Sequence, residues 1–397
     1  MGVVGASPTA EISNKVRALR AAGHDVINLG EGELDFATPD HVAAAGIAAI
    51  QAGDTKYTAV SGTAALKRAI AEKFERENGL AYAPGEIIAG AGAKQLIFNA
   101  FLATLDEDDE VLVPAPYWVS YPDMIRLAGG TPVILPTTGA DRWILQPEAL
   151  AAAITPRTRW LVLNSPNNPT GAIISPAEMK ALTDILVRHP QILVMADDIY
   201  EHVRFAGSFA TPAAVEPALR DRTLTVNGVS KGYSMTGWRI GYAGGPSWLV
   251  GAMEILQSQS TSNPSTISQA ATIAALDGGL GFMHAWLATL AERRDIVLDM
   301  ISATDGLKAD RPDGAFYVFA DCTDLVGRTT LNGQRLENDL AVANFLLEEA
   351  HVGLVHGSAF GMPGHLRIAY AVDTTTLHTA MTRLAAACAR LTRKEAA

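Results

Sequence analysis

Thr223-Leu224-Thr225-Val226-Asn227-Gly228-Val229-Ser230-Lys231-Gly232-Tyr233-Ser234-Met235-Thr236-Gly237-Trp238-Arg239-Ile240-Gly241 opens on five residues of strand character and breaks at an asparagine and a glycine. A lysine then follows the strand end in mostly uncharged surroundings. Read alone, such a lysine belongs on a loop surface, because lysine is rarely buried without a partner. Its neighbours change that reading. A lysine that is to form an imine must shed its proton, so burial or nearby positive charge has to depress its pKa from about 10.4. Arg239 supplies such charge and suits an anionic phosphate.

Working outward, further short apolar runs stand at residues 110–114, 132–135, 160–164 and 192–197, alternating with amphipathic helical stretches from about residue 60 to 280. Short apolar strands alternating with helices indicate a parallel α/β sheet covered on both faces. In such sheets ligands bind beyond the carboxyl ends of the strands. The segments 164–171, 197–200 and 227–231 are therefore expected to converge on one pocket.

At the amino end Ile12, Val16 and Leu19 share a helical face that Gly23 closes, and an apolar run follows at 26–29. After a helix-rich connection over 265–302, strands are expected at 315–320, 352–355 and 366–371, with helices over 339–349 and 374–391. Both chain ends are assigned to one smaller α/β domain, residues 1–40 and 286–397, beside a large domain over 41–285. A chain of 397 residues exceeds what one hydrophobic core usually organises.

Composition narrows the function. Hydrophobic residues at 48% and charged residues at 18% describe a folded chain rather than a disordered one. With 31 basic against 42 acidic side chains, a net charge of −11 and no basic run, nucleic acid is not an expected partner. Cys322 and Cys388 have no ligand spacing, so neither a metal nor a disulfide is expected. The first ten residues lack a leader pattern and no apolar run spans a membrane, which points to a cytoplasmic enzyme.

Two other strand ends carry distinctive chemistry. Asn164-Ser165-Pro166-Asn167-Asn168-Pro169-Thr170-Gly171 is at least a rigid turn, and its prolines fix the Asn168 amide as a ready hydrogen-bond donor. Asp197-Asp198-Ile199-Tyr200 puts an acid behind an apolar strand; it is either a helix cap or a carboxylate able to keep a pyridinium nitrogen protonated. With these stand Gly32-Glu33-Leu34-Asp35-Phe36, Lys56-Tyr57, Gly92-Ala93-Lys94-Gln95, Pro116-Tyr117-Trp118-Val119-Ser120-Tyr121-Pro122, Gly314-Ala315-Phe316-Tyr317 and Leu366-Arg367-Ile368. In this order, over almost the whole chain, they resemble the class I aminotransferases of fold type I, especially the bacterial aspartate aminotransferase subgroup.

The resemblance implies pyridoxal 5′-phosphate as cofactor. It makes Lys231 the Schiff-base lysine, Asp197 the partner of the pyridine nitrogen, and Asn168 and Tyr200 the donors to the ring's phenolate oxygen. Trp118 would cover the ring. Phosphate contacts would come from Arg239, from Gly92, Ala93 and Lys94 at a helix start, and from Tyr57 of a second subunit, which implies a homodimer with shared sites. Arg367 would grip the substrate α-carboxylate, Gly32 would close over substrate, and Lys94 would meet a distal carboxylate. The implied reaction moves an amino group from an L-amino acid, aspartate first, to a 2-oxo acid such as 2-oxoglutarate. Prephenate, aromatic or neutral substrates, and β-elimination, are the alternatives. The chain departs from the family pattern at Gly228, where a phosphate-contacting serine is common, and at Leu34, where proline is common.

A nicotinamide dehydrogenase is a weaker reading of Gly90-Ala91-Gly92-Ala93-Lys94, because Gln95 stands where the third glycine belongs. An effector-sensing regulator would need a DNA-binding module for which no residues remain.

Overall fold

The computed structural model describes residues 4–5 and 7–392; of the first ten residues, 1–3 and 6 lie outside the described residues. A seven-stranded sheet forms the middle, ordered Ile87–Gly90, Gly241–Gly244, Thr223–Asn227, Leu193–Asp197, Thr158–Asn164, Glu110–Ala115 and Thr131–Pro136. All pairings from Thr223–Asn227 to Thr131–Pro136 are parallel, and Gly241–Gly244 runs antiparallel to both neighbours. The five residues of Leu193–Asp197 and of Thr223–Asn227 are all buried, as strands covered on both faces must be. The strands expected at 110–114, 160–164, 192–197 and 223–227 are present, with boundaries shifted by a residue or two. The Thr131–Pro136 strand is an exposed edge.

Register places the chemistry. Asn164 lies opposite Asp197, and Asp197 opposite Val226, so three strand ends open on the same edge. Local sequence fixes what leaves that edge. Ser175 caps the helix Pro176–Leu186 and Glu178 returns the bond to the Ser175 N–H, so the turn between Asn164 and that helix ends at a defined point.

The chain ends build a second core. Ile27–Asn28 pairs in parallel with Val352–Gly353, while Tyr317–Asp321 lies between His365–Ala369 and Lys308–Ala309 in an antiparallel sheet that Val355–His356 extends. The expected single strand over 352–355 is thus two short strands serving different sheets. The strand expected from residue 315 begins at Tyr317, because Ala315 is left-handed at φ 54°. Leu34, in place of the usual proline, is buried in this core, and Asp35 forms a paired ion contact with Arg293 at 2.7 and 2.8 Å. Among the described residues no helix is long and apolar enough to cross a membrane.

Behind the sheet edge, Lys73 is wholly buried and pairs with Glu201, which also accepts from Asn78 at 2.6 Å and from Asn227 at 2.8 Å. Glu77 and His202 complete a cluster of metal-ligating type, but Lys73 already occupies its centre of charge. Removing one member of a buried pair strands the other charge in low dielectric, at about 3–5 kcal/mol. Lys73→Met is therefore expected to lower unfolding stability by about 3–5 kcal/mol in urea titration, and a second change, Glu201→Gln, to restore much of it.

Candidate active site

Beyond the carboxyl ends of the central strands lies a cavity of about 560 Å³. Ten of the twelve residues singled out in the sequence line it: Gly32, Ala93, Lys94, Trp118, Asn168, Asp197, Tyr200, Lys231, Arg239 and Arg367. Gly92 stands just behind the wall. Tyr57 is outside the cavity and 91% exposed.

Lys231 sits on the short helix Val229–Gly232, and its Nζ donates to the Gly32 carbonyl. Burial, then the positive charges of Arg367 and Arg239, pull its pKa down to about 8, against the opposing pull of Glu33 and Asp197. At pH 8 about half of such amines are unprotonated, whereas an ordinary lysine offers well under about 1%. The half-buried amine is therefore prepared for nucleophilic and base chemistry.

Asp197 ends its strand buried, accepting from the Tyr121 hydroxyl at Oδ2 and weakly from the Ile199 N–H, 3.4 Å from Oδ1. Burial raises its carboxyl to about 6, with the Tyr121 and Ile199 bonds opposing. Asn164 joins the two neighbouring strand ends: its amide donates to the Asp197 carbonyl and accepts from the Asn168 N–H, both at 2.9 Å. This bridge positions the Asn168 side chain, whose Oδ1 accepts from Arg367 at 2.9 Å.

Arg367 is buried in the strand His365–Ala369, lies over the Tyr317 ring at 4.5 Å and donates to the Gly30 carbonyl at 2.6 Å. Its Nε has no partner among the described residues, a buried donor left for an anion to satisfy. Tyr200 meets the Tyr317 hydroxyl at 2.8 Å. Lys94 places its ammonium 4.9 Å over the Trp118 ring, and burial followed by Arg239 lowers its pKa.

The phosphate end follows from backbone geometry. Gly92, at φ 97°, precedes the helix Ala93–Thr104, and a Cβ there would lie 2.5 Å from Arg239 Nη2. Glycine thus lets the guanidinium approach a helix start whose free N–H groups favour an anion. The Gly228 departure also has a physical reason: a Cβ would sit 3.1 Å from Gly241 Cα and 3.2 Å from the Ile199 side chain. Ser230, on the short helix Val229–Gly232, and Thr236 after it also line the cavity.

These residues fit pyridoxal phosphate: an activated, half-buried amine, a buried carboxylate, a flat indole and an anion site at a helix start share one cavity. Sequence reasoning had not singled out Tyr121, Tyr317, Asn164 or Glu33. All four sit inside motifs quoted above, but the contacts of Tyr121 and Tyr317 span 76 and 117 residues, which local pattern does not reveal.

Comparison with known proteins agrees with the geometry. Residues 24–384 match the family model described as aminotransferase class I and II. An aspartate/prephenate aminotransferase of Cereibacter sphaeroides is 53% identical over 97% of this chain and 96% of its own length. A crystal structure of the aspartate aminotransferase from Rhizobium meliloti superposes with a TM-score of 0.94 at 50% identity, covering 98% of both chains. The Thermus thermophilus aspartate aminotransferase with maleate gives 0.90 at 42% identity, covering 96% of this chain and 97% of that one. The chain belongs to the class I and II aminotransferases, and it is a pyridoxal-phosphate-dependent transaminase.

Proposed function

We propose that this transaminase acts on substrates with two carboxylates, aspartate as donor and 2-oxoglutarate as acceptor. The observation that carries the reading is that Arg367 and Lys94 are separate cations on one cavity, with Arg367 Nε unpartnered among the described residues. A guanidinium meets both oxygens of an α-carboxylate, and the ammonium on Trp118 meets a distal one. The names of relatives and the maleate in the Thermus structure's title support the same class. Prephenate, named for the Cereibacter relative, also carries two carboxylates and is the second reading.

Pyridoxal phosphate, when bound, supplies an electron sink for the carbon that loses its proton. The protein's groups do the rest. Lys231 holds the cofactor, then moves the proton from the substrate Cα. Asp197 holds the ring nitrogen's proton, Asn168 and Tyr200 steady the phenolate oxygen, Trp118 covers the ring, and Arg239 with the N–H groups after Gly92 holds the phosphate. Gly32, whose carbonyl Lys231 contacts, closes over substrate.

The same reading makes the enzyme a cytoplasmic homodimer in which Tyr57 completes the partner's phosphate site, with residues 41–285 as the large domain and 1–40 with 286–397 as the small one. The 91% exposure of Tyr57, outside its own chain's cavity, supports that contribution.

Stopped-flow absorbance with single amino acids tests the substrate. Rapid loss of the bound-cofactor band with aspartate and glutamate supports the proposal; conversion with aromatic or neutral amino acids alone refutes it. Lys94→Met is expected to raise KM for aspartate about 10- to 100-fold, the size of one lost charged hydrogen bond, and to spare alanine. Equal effects on both substrates would remove Lys94 from recognition.

A further inference from the structure

Tyr121 borders the active cavity without lining it. It begins the helix Tyr121–Leu127, is buried, and faces a separate small void behind the sheet edge. Its hydroxyl donates to Asp197 Oδ2, and its ring meets Trp118 edge to face at 5.3 Å. No other side chain donates to Asp197 among the described residues; its other oxygen has only the long Ile199 contact. A carboxylate on a strand end rotates about two side-chain bonds, and one strong charged hydrogen bond removes that freedom.

We propose that Tyr121 is a positioning residue that orients Asp197, turning its free oxygen toward the pyridine nitrogen. The donor is durable: a buried tyrosine beside a carboxylate keeps its proton, since burial and the Asp197 charge both push the phenol pKa well up. The other groups facing Asp197 are Lys231, Tyr200 and Asp198. None of them replaces the Tyr121 bond. This rests on the assignment of Asp197 to the ring nitrogen, so the test must separate the two claims.

Tyr121→Phe keeps the ring against Trp118 and deletes only the donor. Its kcat with aspartate is expected to fall about tenfold with KM within about twofold. Cofactor binding to the cofactor-free protein, followed against pH, gives a readout independent of turnover. Its acid midpoint should move upward by about one unit, because the unpropped carboxyl protonates more readily. Asp197→Asn runs alongside. If Asp197→Asn is severely impaired while Tyr121→Phe matches the parent in kcat and acid midpoint, the positioning role is wrong. If Asp197→Asn also matches the parent, the Asp197 assignment falls with it.

Discussion

Lys231→Ala is expected to lose transamination by on the order of 10⁴-fold or more while retaining the parent's circular dichroism and oligomeric state. Two functions leave with one side chain. The amine holds the cofactor, and it moves the proton at the substrate Cα, so no neighbour compensates for both. Lys94 also lines the cavity, but its ammonium stands over the Trp118 ring, where the proposed function has it meet the distal carboxylate. Folding should survive because among the described residues the Lys231 side chain makes a single hydrogen bond, to the Gly32 carbonyl, and its desolvation as a charge is unfavourable. Turnover within tenfold of the parent, measured with saturating aspartate and 2-oxoglutarate, would exclude Lys231 from the chemistry.

Asp197→Asn ranks second, with kcat expected to drop roughly 10²- to 10⁴-fold. An amide fills the same space but cannot carry the negative charge that holds a proton on the ring nitrogen. The pH dependence follows from the same carboxyl. Burial raises Asp197 to about 6 in the cofactor-free protein. Above that pH it is ionised and holds the ring proton; as pH falls through about 6 it protonates, and cofactor affinity should fall with it. In Asp197→Asn the inflection should vanish. An unchanged inflection in a fluorescence titration would assign it to another group.

Much of this site was legible because its residues stand where strands end. Asn168, Asp197 and Lys231 each follow a buried apolar run, and parallel register makes such ends converge. Ile87–Gly90 and Gly241–Gly244 are not legible as strands because each is only four residues long: Gly241–Gly244 is mostly glycine and alanine, and the two isoleucines that open Ile87–Gly90 are too short a run to signal a strand. Their small side chains are what the packing needs: a Cβ at Gly244 would lie 2.4 Å from the Tyr82 ring. The roles of Tyr317 and Tyr121 are not legible in the sequence, since only the folded chain shows a hydroxyl reaching Tyr200 or Asp197. Nor does spacing reveal Lys73, which reads as a surface residue of an amphipathic helix until Glu201 is brought beside it.

The most direct test of the central claim is borohydride reduction of the cofactor-loaded protein, which makes the lysine linkage permanent, followed by peptide mass mapping. The account expects one pyridoxyl-phosphate adduct per chain, on Lys231. An adduct on Lys94 or another lysine, with Lys231 unmodified, would contradict it.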